Sequence, residues 1–412
     1  MGASPSRWDG PVLTALRTPR QLRTEVLGGL VVALALIPEA ISFSIIAGVD
    51  PRVGLFASFT MAVTIAFTGG RPAMISAATG AVALVIAPVA REHGIDYLVA
   101  TVLLAGLIQV VLSVAGVARL LRFIRPSVMA GFVNALAILI FLGQLPHLIG
   151  VPWLVYPMVA VALVALVGLP KLTTAVPAPL VVIIVLTAVT MVFSLRVPDV
   201  GDEGALPTGL PALGLPAVPW NLETLWIIAP FALAMALVGL LESLMTATLV
   251  DEVTGTRSDK TREGWGQGLA NLVTGFFGGM GGCAMIGQTM VNVKISGART
   301  RISTLLAGVF LLALVVGLGG LVARIPMAAL AAVMVVVAAG TVDWGSLAPK
   351  TVRRVPVTET AAMLVTVAVT VSTHNLAYGM VAGVLFATAA DRLRPRRRDE
   401  PARPPDPVGA RP

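Results

Sequence analysis

The sequence has few charged residues and few aromatic ones. Of its 412 residues, 12% are charged and 5% are aromatic, whereas 57% are hydrophobic. The mean hydropathy is +0.91. A soluble domain carries about 25% charged residues. A chain so poor in charge cannot cover its surface in water, so the composition argues against a soluble protein and indicates one whose solvent is lipid.

Cysteine and histidine are also scarce. Cys283 is the single cysteine, which excludes an internal disulfide and argues against a cysteine-based metal site. The three histidines, His93, His147 and His374, lie far apart in sequence, whereas metal sites need clustered ligands. We therefore predict no metal and no cofactor. We also find no nucleophile with a neighbouring base, so an enzyme is not expected.

Long apolar runs fill the chain. Many of them span about 17–25 residues, which is enough for a helix to cross the hydrocarbon core of a membrane. They lack the strict alternation of barrel strands. About fourteen segments can be distinguished, some short or broken: 23–48, 51–68, 74–90, 97–118, 127–148, 153–169, 177–195, 222–250, 264–280, 284–296, 302–323, 327–341, 357–373 and 376–390. The fold class that this predicts is an all-α polytopic membrane protein.

Basic residues follow the even-numbered segments. The fourth segment, for example, is followed by Arg119, Arg122 and Arg125, whereas the long loop after the seventh is acidic, with Asp199 and Asp202. Because cytoplasmic loops are enriched in Lys and Arg, both termini are expected in the cytoplasm of an inner-membrane protein. The net charge of +8 then indicates that basic residues contact lipid headgroups at the membrane surface, and a nucleic-acid partner is not expected.

The two halves share one layout. Each opens with a segment that holds a glutamate in mid-membrane, and in each the third segment is short and follows glycine-rich sequence. With seven spans per half, the second half must be inverted, and inverted repeats with interrupted helices are typical of secondary transporters. The predicted division is a cytoplasmic tail (1–22), a first repeat (23–195), an external loop (196–221), a second repeat (222–391) and a basic, proline-rich cytoplasmic tail (392–412).

The two mid-membrane glutamates are Glu39 and Glu242. A carboxyl group there is costly, so it usually faces a cavity, a partner or a proton pathway. Desolvation favours the protonated form, which suits a group that takes up and releases protons. Thr246 lies one helical turn from Glu242 on the same face, so the pair offers a carboxylate and a hydroxyl to a proton or Na⁺. The alternative is an interhelical hydrogen bond that only fixes the bundle.

Two glycine-rich stretches, 69–81 and 278–289, have the composition of irregular backbone that leads into a helix. Irregular backbone at membrane depth must be buried in protein or line a cavity. A helix that begins there presents free N–H groups and a positive dipole end, which together can hold an anion. The alternative is tight helix packing through small residues, and Cys283 by itself is most simply such a packing residue.

At these residues the chain resembles the sulfate permease (SulP) family of anion transporters. The likeness covers roughly residues 23–393. Its most specific parts are Leu36-Ile37-Pro38-Glu39-Ala40, residues 48–55, Gly131-Phe132 leading to Gln144-Leu145, residues 242–246, and residues 281–292 with the basic loop that follows.

The resemblance implies fourteen segments in two inverted repeats of seven, with segments one to four and eight to eleven forming a core that moves against a gate. The anion would lie between the starts of the third and tenth segments. The candidate anion-binding residues there are Ser76, Ala77, Ala78, Thr79, Cys283, Ala284, Met285, Ile286 and Gly287. The candidate coupling residues are Glu39, Glu242, Thr246 and Gly282, with Na⁺ possible at Glu242 and Thr246. A homodimer through the gate is a further implication.

Three features depart from the family pattern. Many members have Gln in place of Glu39, so the first helix here has an additional site for a proton. Many have Arg in place of Gln288, so anion binding would depend more on helix dipoles. Members usually continue into a cytoplasmic STAS domain, whereas this sequence stops about 20 residues after its last span, so that domain is expected to be absent.

These observations predict a proton- or Na⁺-coupled symporter of a small inorganic anion, with sulfate as the leading candidate, that works by alternating access. Bicarbonate or a C4-dicarboxylate is the alternative within anion transport. A nucleobase transporter of the same fold and an anion channel also stay open.

Overall fold

Helices make up nearly all of the regular structure. The computed structural model describes residues 9–116, 125–172, 178–203, 209–348, 351, 355–373 and 376–393. The elements before residue 204 are α1 (Asp9–Arg17), α2 (Pro19–Ala47), α3 (Pro51–Thr68), β1 (Ser76–Ala77), α4 (Gly80–His93), α5 (Ile95–Val114), α6 (Pro126–Leu142), a 3₁₀ turn (Leu145–His147), α7 (Val155–Leu172), α8 (Ala178–Val192) and α9 (Val200–Glu203).

The second half of the chain repeats this series. Its elements are α10 (Leu222–Thr254), α11 (Lys260–Phe276), β2 (Cys283–Ala284), α12 (Ile286–Met290), a π-helical continuation of α12 (Val291–Ile295), α13 (Arg301–Val322), α14 (Met327–Thr341), α15 (Trp344–Leu347), α16 (Val357–Thr373) and α17 (Leu376–Leu393).

Each of the fourteen predicted segments has a counterpart among these elements. Twelve are single helices, and the third and tenth each combine a two-residue strand with a helix that begins just after it. In the described part of the chain, seven helices are long and apolar enough to cross a membrane, and several of the others are shorter apolar helices. The predicted fold class, an all-α polytopic membrane protein, is confirmed.

The two halves pack through equivalent partners. Helix α5 packs on α11 and α10, and α13, its counterpart in the second half, packs on α3 and α2. In the same way α6 packs on α16 and α17, whereas α14 packs on α7 and α8. In the core, a helix of each half thus packs on helices of the other half, as expected for two intertwined repeats.

Two groups of helices follow from this packing. Helices α2 to α5 and α10 to α13 contact one another extensively and form the core. Helices α6 to α8, α14, α16 and α17 form the second group, the gate. Contacts between core and gate are sparser and involve mainly α2, α4 and α10 on the core side. A boundary with few contacts is where two rigid bodies can move against each other.

The two interrupted segments meet through their strands. β1 and β2 are antiparallel, with Ser76 opposite Ala284 and Ala77 opposite Cys283. The close approach requires Gly282, because a Cβ at that position would collide with the carbonyl oxygen of Ala77. The short ladder gives backbone polar groups partners at a depth where water is scarce, as a membrane interior demands.

The start of α13 is fixed by a buried carboxyl group from α2. Glu25 is only 1% exposed, and its Oε1 accepts hydrogen bonds from the backbone N–H groups of Arg299 (2.8 Å) and Thr300 (3.0 Å). Its Oε2 accepts from the N–H of Ser303 at 3.2 Å. Because the first N–H groups of a helix have no partner within it, Glu25 replaces the missing acceptors and ties the two repeats together.

We predict that Glu25→Ala destabilises the folded protein. The substitution leaves three backbone donors without their acceptor, and an unsatisfied buried group costs about 1–3 kcal/mol. The unfolding temperature of the purified protein in detergent should fall clearly. Glu92→Ala, which removes an exposed carboxyl group near the end of α4, is the matched control and should leave the temperature unchanged. Equal unfolding temperatures for the two variants would contradict the role of Glu25.

Candidate functional site

Two helices of the core begin side by side just beyond the strand pair. Helix α4 begins at Gly80 after Thr79, whose backbone is extended and whose Oγ1 accepts a hydrogen bond from the N–H of Val82 at 3.3 Å. Helix α12 begins at Ile286 after Met285, also extended, and no side chain caps it. The leading N–H groups of both helices lack intrahelical acceptors, so each start carries partial positive charge.

Both helix starts open onto one cavity of about 430 Å³. Its walls come from the core helices α2, α4, α10 and α12 and from the gate helices α6 and α14. The residues that line it are Glu39, Phe43, Thr79, Gly80, Ala81, Phe132, Val133, Leu136, Ile140, Glu242, Met245, Met285, Ile286, Gly287, Gln288, Val337, Gly340 and Thr341. The cavity is thus mostly apolar and lies at the boundary between core and gate, with its polar groups concentrated on the core side.

A chain of hydrogen bonds connects Glu242 to the start of α4. The thiol of Cys283 donates to Glu242 Oε2, with 3.0 Å between the atoms. Thr79 Oγ1 lies 3.1 Å from the same sulfur. The single thiol proton is donated to Glu242, so the Thr79 hydroxyl donates its own proton to the sulfur. The oxygen of the same hydroxyl stays free to accept from the N–H of Val82. The carboxyl group of α10 is therefore connected through β2 to the residue that caps α4.

Cys283 consequently does more than fill space. It was expected to be a small packing residue, and it is indeed fully buried, but its sulfur bridges two polar groups from different segments. The sequence contains no local signal for this contact, because the partners Thr79 and Glu242 become neighbours only when the two repeats intertwine.

The second glutamate belongs to the same cavity. Glu39 of α2 accepts a hydrogen bond at its Oε1 from Nε2 of Gln288, at 2.9 Å. Both side chains are at least nine-tenths buried, with 8% of Glu39 and 6% of Gln288 exposed. The two positions that depart from the family pattern in sequence are therefore direct partners in the structure.

The nine predicted anion-binding residues fall into two groups. Thr79, Met285, Ile286 and Gly287 line the cavity. The other five lie behind it, in or beside the strand pair, and are essentially fully buried: Ser76, Ala77, Ala78, Cys283 and Ala284. Buried polar side chains satisfy the backbone there, since the N–H of Ala78 donates to Ser58 Oγ at 3.2 Å and the N–H of Ala284 donates to Ser243 Oγ at 3.1 Å.

The predicted coupling residues divide in the same way. Glu39 and Glu242 line the cavity, whereas Thr246 donates its hydroxyl to the backbone oxygen of Glu242 at 2.8 Å and is fully buried. Gly282 exchanges two hydrogen bonds with the side chain of Asn271, at 2.8 and 3.0 Å. Thr246 and Gly282 are thus not among the residues that line the cavity. Their hydrogen bonds hold the backbone next to it.

Sequence reasoning missed the gate side of the cavity. Phe132 was part of a family motif but was not assigned to the site, and Leu136, Val337 and Thr341 carried no signal at all. Apolar residues on a membrane helix look alike whether they face lipid or a cavity, so only the packing of α6 and α14 against the core distinguishes them.

The electrostatics of the cavity are unusual for an anion site. Among the residues that the structure describes, no Lys, Arg or His lines it, whereas two carboxyl groups do. Helix starts are then the available source of positive potential. The described residues also contain no group of three His, Cys, Asp or Glu side chains that could hold a metal ion.

Interrupted helices from two inverted repeats, facing a shared cavity between core and gate, are typical of membrane transporters. The chain belongs to the sulfate permease family, which it matches over residues 22–164 and 151–366. The resemblance found in the sequence is confirmed. The chain is accordingly a multi-pass membrane protein of an anion-transporter family, and it is not an enzyme.

Individual relatives agree with this assignment. Over 366 residues the chain is 54% identical to the "Putative sulfate transporter YbaR" of Bacillus subtilis (strain 168), covering 89% of this chain and 76% of YbaR. It is 27% identical to the bicarbonate transporter BicA of Picosynechococcus, covering 80% of this chain but only 63% of BicA. The chain therefore spans less than two thirds of the length of that relative.

A solved structure shares the fold. The transmembrane domain of a cyanobacterial bicarbonate transporter BicA superposes with a TM-score of 0.76 at 25% sequence identity, over 89% of this chain and 98% of that domain. The arrangement of helices described above is thus shared with that domain.

We predict that Gly287→Leu weakens anion binding without unfolding the protein. Gly287 lines the cavity, and a Cβ added there meets no atom within 4 Å. The leucine side chain would occupy space that the anion needs. Crowding of the two in the cavity should cost about 1–3 kcal/mol of binding free energy and lower anion affinity roughly tenfold or more. Calorimetry with the purified protein measures the affinity.

The matched control is Gly317→Leu. Gly317 lies on the exposed surface of α13, and a Cβ added there likewise meets nothing within 4 Å. This variant should bind the anion like the wild type. If Gly287→Leu also binds normally, the anion does not occupy the cavity between the helix starts.

Proposed function

We propose that the chain is a secondary active transporter that carries a small inorganic anion, with sulfate as the leading candidate, together with protons or Na⁺ by alternating access. The observation that carries this proposal is the position of the cavity. It receives two helix starts from opposite repeats, contains a carboxyl group linked to one of them, and lies between two bodies that share few contacts.

The anion would bind to backbone N–H groups of Gly80, Ala81, Ile286 and Gly287, which line the cavity at the two helix starts. Oxyanions accept several hydrogen bonds at once, and a helix start offers a cluster of donors with a favourable dipole. The apolar gate side of the cavity, with Phe132 and Leu136, would exclude water from the bound anion. A small tetrahedral or planar oxyanion fits this arrangement.

The coupling ion would bind at Glu242. Its carboxyl group is held by the thiol of Cys283 and lies in the same cavity as the anion. A proton or Na⁺ there would offset the charge of the anion, so that each ligand favours the binding of the other. The hydrogen bonds from Glu242 through Cys283 to Thr79 give a physical route for this linkage.

Alternating access would follow from the division into core and gate. The anion-binding helix starts belong to the core, whereas the opposite wall of the cavity belongs to α6 and α14 of the gate. Movement of the core along this boundary would carry the cavity from one side of the membrane to the other while the bound ligands stay in place.

Bicarbonate is the second candidate anion, because two relatives and one structural neighbour of the chain carry the name of bicarbonate transporters. Uptake of labelled sulfate, bicarbonate, succinate and uracil into proteoliposomes, each with imposed proton and Na⁺ gradients, distinguishes the candidates. Uptake of uracil alone would indicate a nucleobase transporter, and large uncoupled currents would indicate a channel.

We predict that Glu242→Gln loses the part of uphill uptake that an ion at Glu242 drives but keeps anion binding. Glutamine has the shape of the protonated carboxyl group and cannot release a proton or bind Na⁺ as a carboxylate does, so the anion flux is no longer linked to an ion at this position. Gradient-driven accumulation in proteoliposomes should fall clearly below the wild-type level. Calorimetric affinity for the anion should stay within about tenfold, the factor that corresponds to one lost hydrogen bond.

Glu242→Asp is the companion variant, because it keeps a carboxyl group and should retain coupled uptake with an altered dependence on pH or Na⁺. If Glu242→Gln still concentrates the anion with the wild-type response to both gradients, then Glu242 only packs the bundle.

We further propose that the protein lies in the cytoplasmic membrane with both termini in the cytoplasm, because Lys and Arg are enriched in the loops on that side. In a Cys283→Ser background, a cysteine at exposed Asp202 should react with a membrane-impermeant maleimide in intact cells. A cysteine at exposed Arg257 should react only after the membrane is opened. Labelling of both from the same side would contradict the proposed topology.

A further inference from the structure

The pair formed by Glu39 and Gln288 contains two oxygen atoms that the anion-binding and coupling roles above leave unexplained. Gln288 donates one N–H to Glu39 Oε1 at 2.9 Å. Within the described part of the chain, Glu39 Oε2 and Gln288 Oε1 have no hydrogen-bond partner although both are buried. Buried polar atoms without partners are rare in folded proteins and require an explanation.

A proton on Glu39 would explain both atoms. An ionised carboxylate and an amide oxygen are acceptors only, so neither can satisfy the other. A protonated carboxyl group has one O–H donor, which a nearby amide oxygen or an anion oxygen in the cavity can accept. Protonation would also remove a charge from a poorly solvated site, where an ionised carboxylate is costly.

Among the residues that the structure describes, no Lys, Arg or His lines the cavity in place of that proton. Glu242 is the other ionisable side chain among the described residues that line the cavity, and the Cys283 thiol behind it donates to Glu242. The charged or titratable groups on α2 itself and on the elements packed against it lie towards the ends of those elements or on their exposed surface: Arg17, Arg20, Arg23, Glu25, Arg52, Arg91, Glu92, His93, Lys294 and Arg301.

We propose that Glu39 and Gln288 form a neutral acid–amide pair within the anion-binding site, and that the anion binds only while Glu39 carries its proton. This inference rests on the proposed anion transport. An ionised Glu39 would repel an anion across a cavity that contains no basic side chain in its described lining. Neutral Glu39 instead offers its O–H as a donor. Each anion would then be accompanied by a proton on Glu39, whichever ion binds at Glu242.

The first test is the pH dependence of anion affinity, measured by calorimetry on the purified full chain with sulfate over about pH 5 to 8, or with bicarbonate over the upper part of that range if sulfate does not bind. If one proton must bind with the anion, the wild-type affinity falls as pH rises, by up to about tenfold per unit once Glu39 is mostly ionised. Glu39→Gln should lose this one-proton contribution to the slope and keep its affinity at the alkaline end. An unchanged slope in Glu39→Gln would overturn the inference.

The second test is proton uptake on binding, followed with a pH indicator in weakly buffered protein at the alkaline end of that range. Glu242→Gln serves as the matched control because it removes the other carboxyl group of the same cavity. This variant should still take up a proton when sulfate is added, and Glu39→Gln should take up one proton fewer than the wild type. If Glu242→Gln takes up none, Glu39 carries no linked proton, even where Glu39→Gln cannot be purified.

The outcomes separate this inference from the proposed function. If the wild type binds none of sulfate, bicarbonate and succinate at any pH, the anion site itself is refuted. If the wild type binds an anion with an affinity that does not change with pH, anion transport stands and the role of Glu39 is refuted.

Discussion

The structure depends on one constraint, which is that backbone N–H and C=O groups need partners where water is absent. Continuous helices meet this constraint by themselves, but the third and tenth segments are interrupted in the interior of the protein. Their breaks can exist only because the two segments complete each other, through the pairs Ser76–Ala284 and Ala77–Cys283. Neither repeat could contain its broken helix alone, because the backbone groups at the break need partners from the other repeat. This need explains both why the repeats intertwine and why the two helix starts meet at one cavity.

Buried polar side chains complete what the strand pair leaves unsatisfied. Asn271 bonds both the N–H and the C=O of Gly282, Ser58 and Ser243 accept from backbone N–H groups beside the strands, and Glu25 serves the start of α13. These side chains use up the donors and acceptors behind the strands. The residues at the beginnings of α4 and α12 line the cavity instead, so the scaffold itself determines the position of the proposed anion site.

The sequence predicts much of the fold and only part of the site. Segment number and helical character follow from apolar length, and the two broken segments follow from glycine-rich composition, because these are local properties. The contacts that define the site are not local. Glu39 and Gln288 are 249 residues apart and Cys283 and Glu242 are 41 apart, so the partners emerge only from the packing of one repeat against the other. For the same reason the strand residues Ala77 and Ala284 were indistinguishable from the cavity residues next to them.

The chemistry of the cavity sets a condition on any transport cycle. Two carboxyl groups and an anion cannot share a poorly solvated space as three negative charges, since the penalty for unpaired buried charge is far larger than the contribution of a few hydrogen bonds. The helix starts offset part of the charge of one anion, but they are fixed and cannot respond to whether it is bound. In the proposed transport cycle, the mobile part of the compensation comes from ions that enter and leave with the anion. With Glu39 and Gln288 in the cavity and no basic side chain in its described lining, that cycle makes anion binding conditional on those ions, and such a condition is what coupling requires.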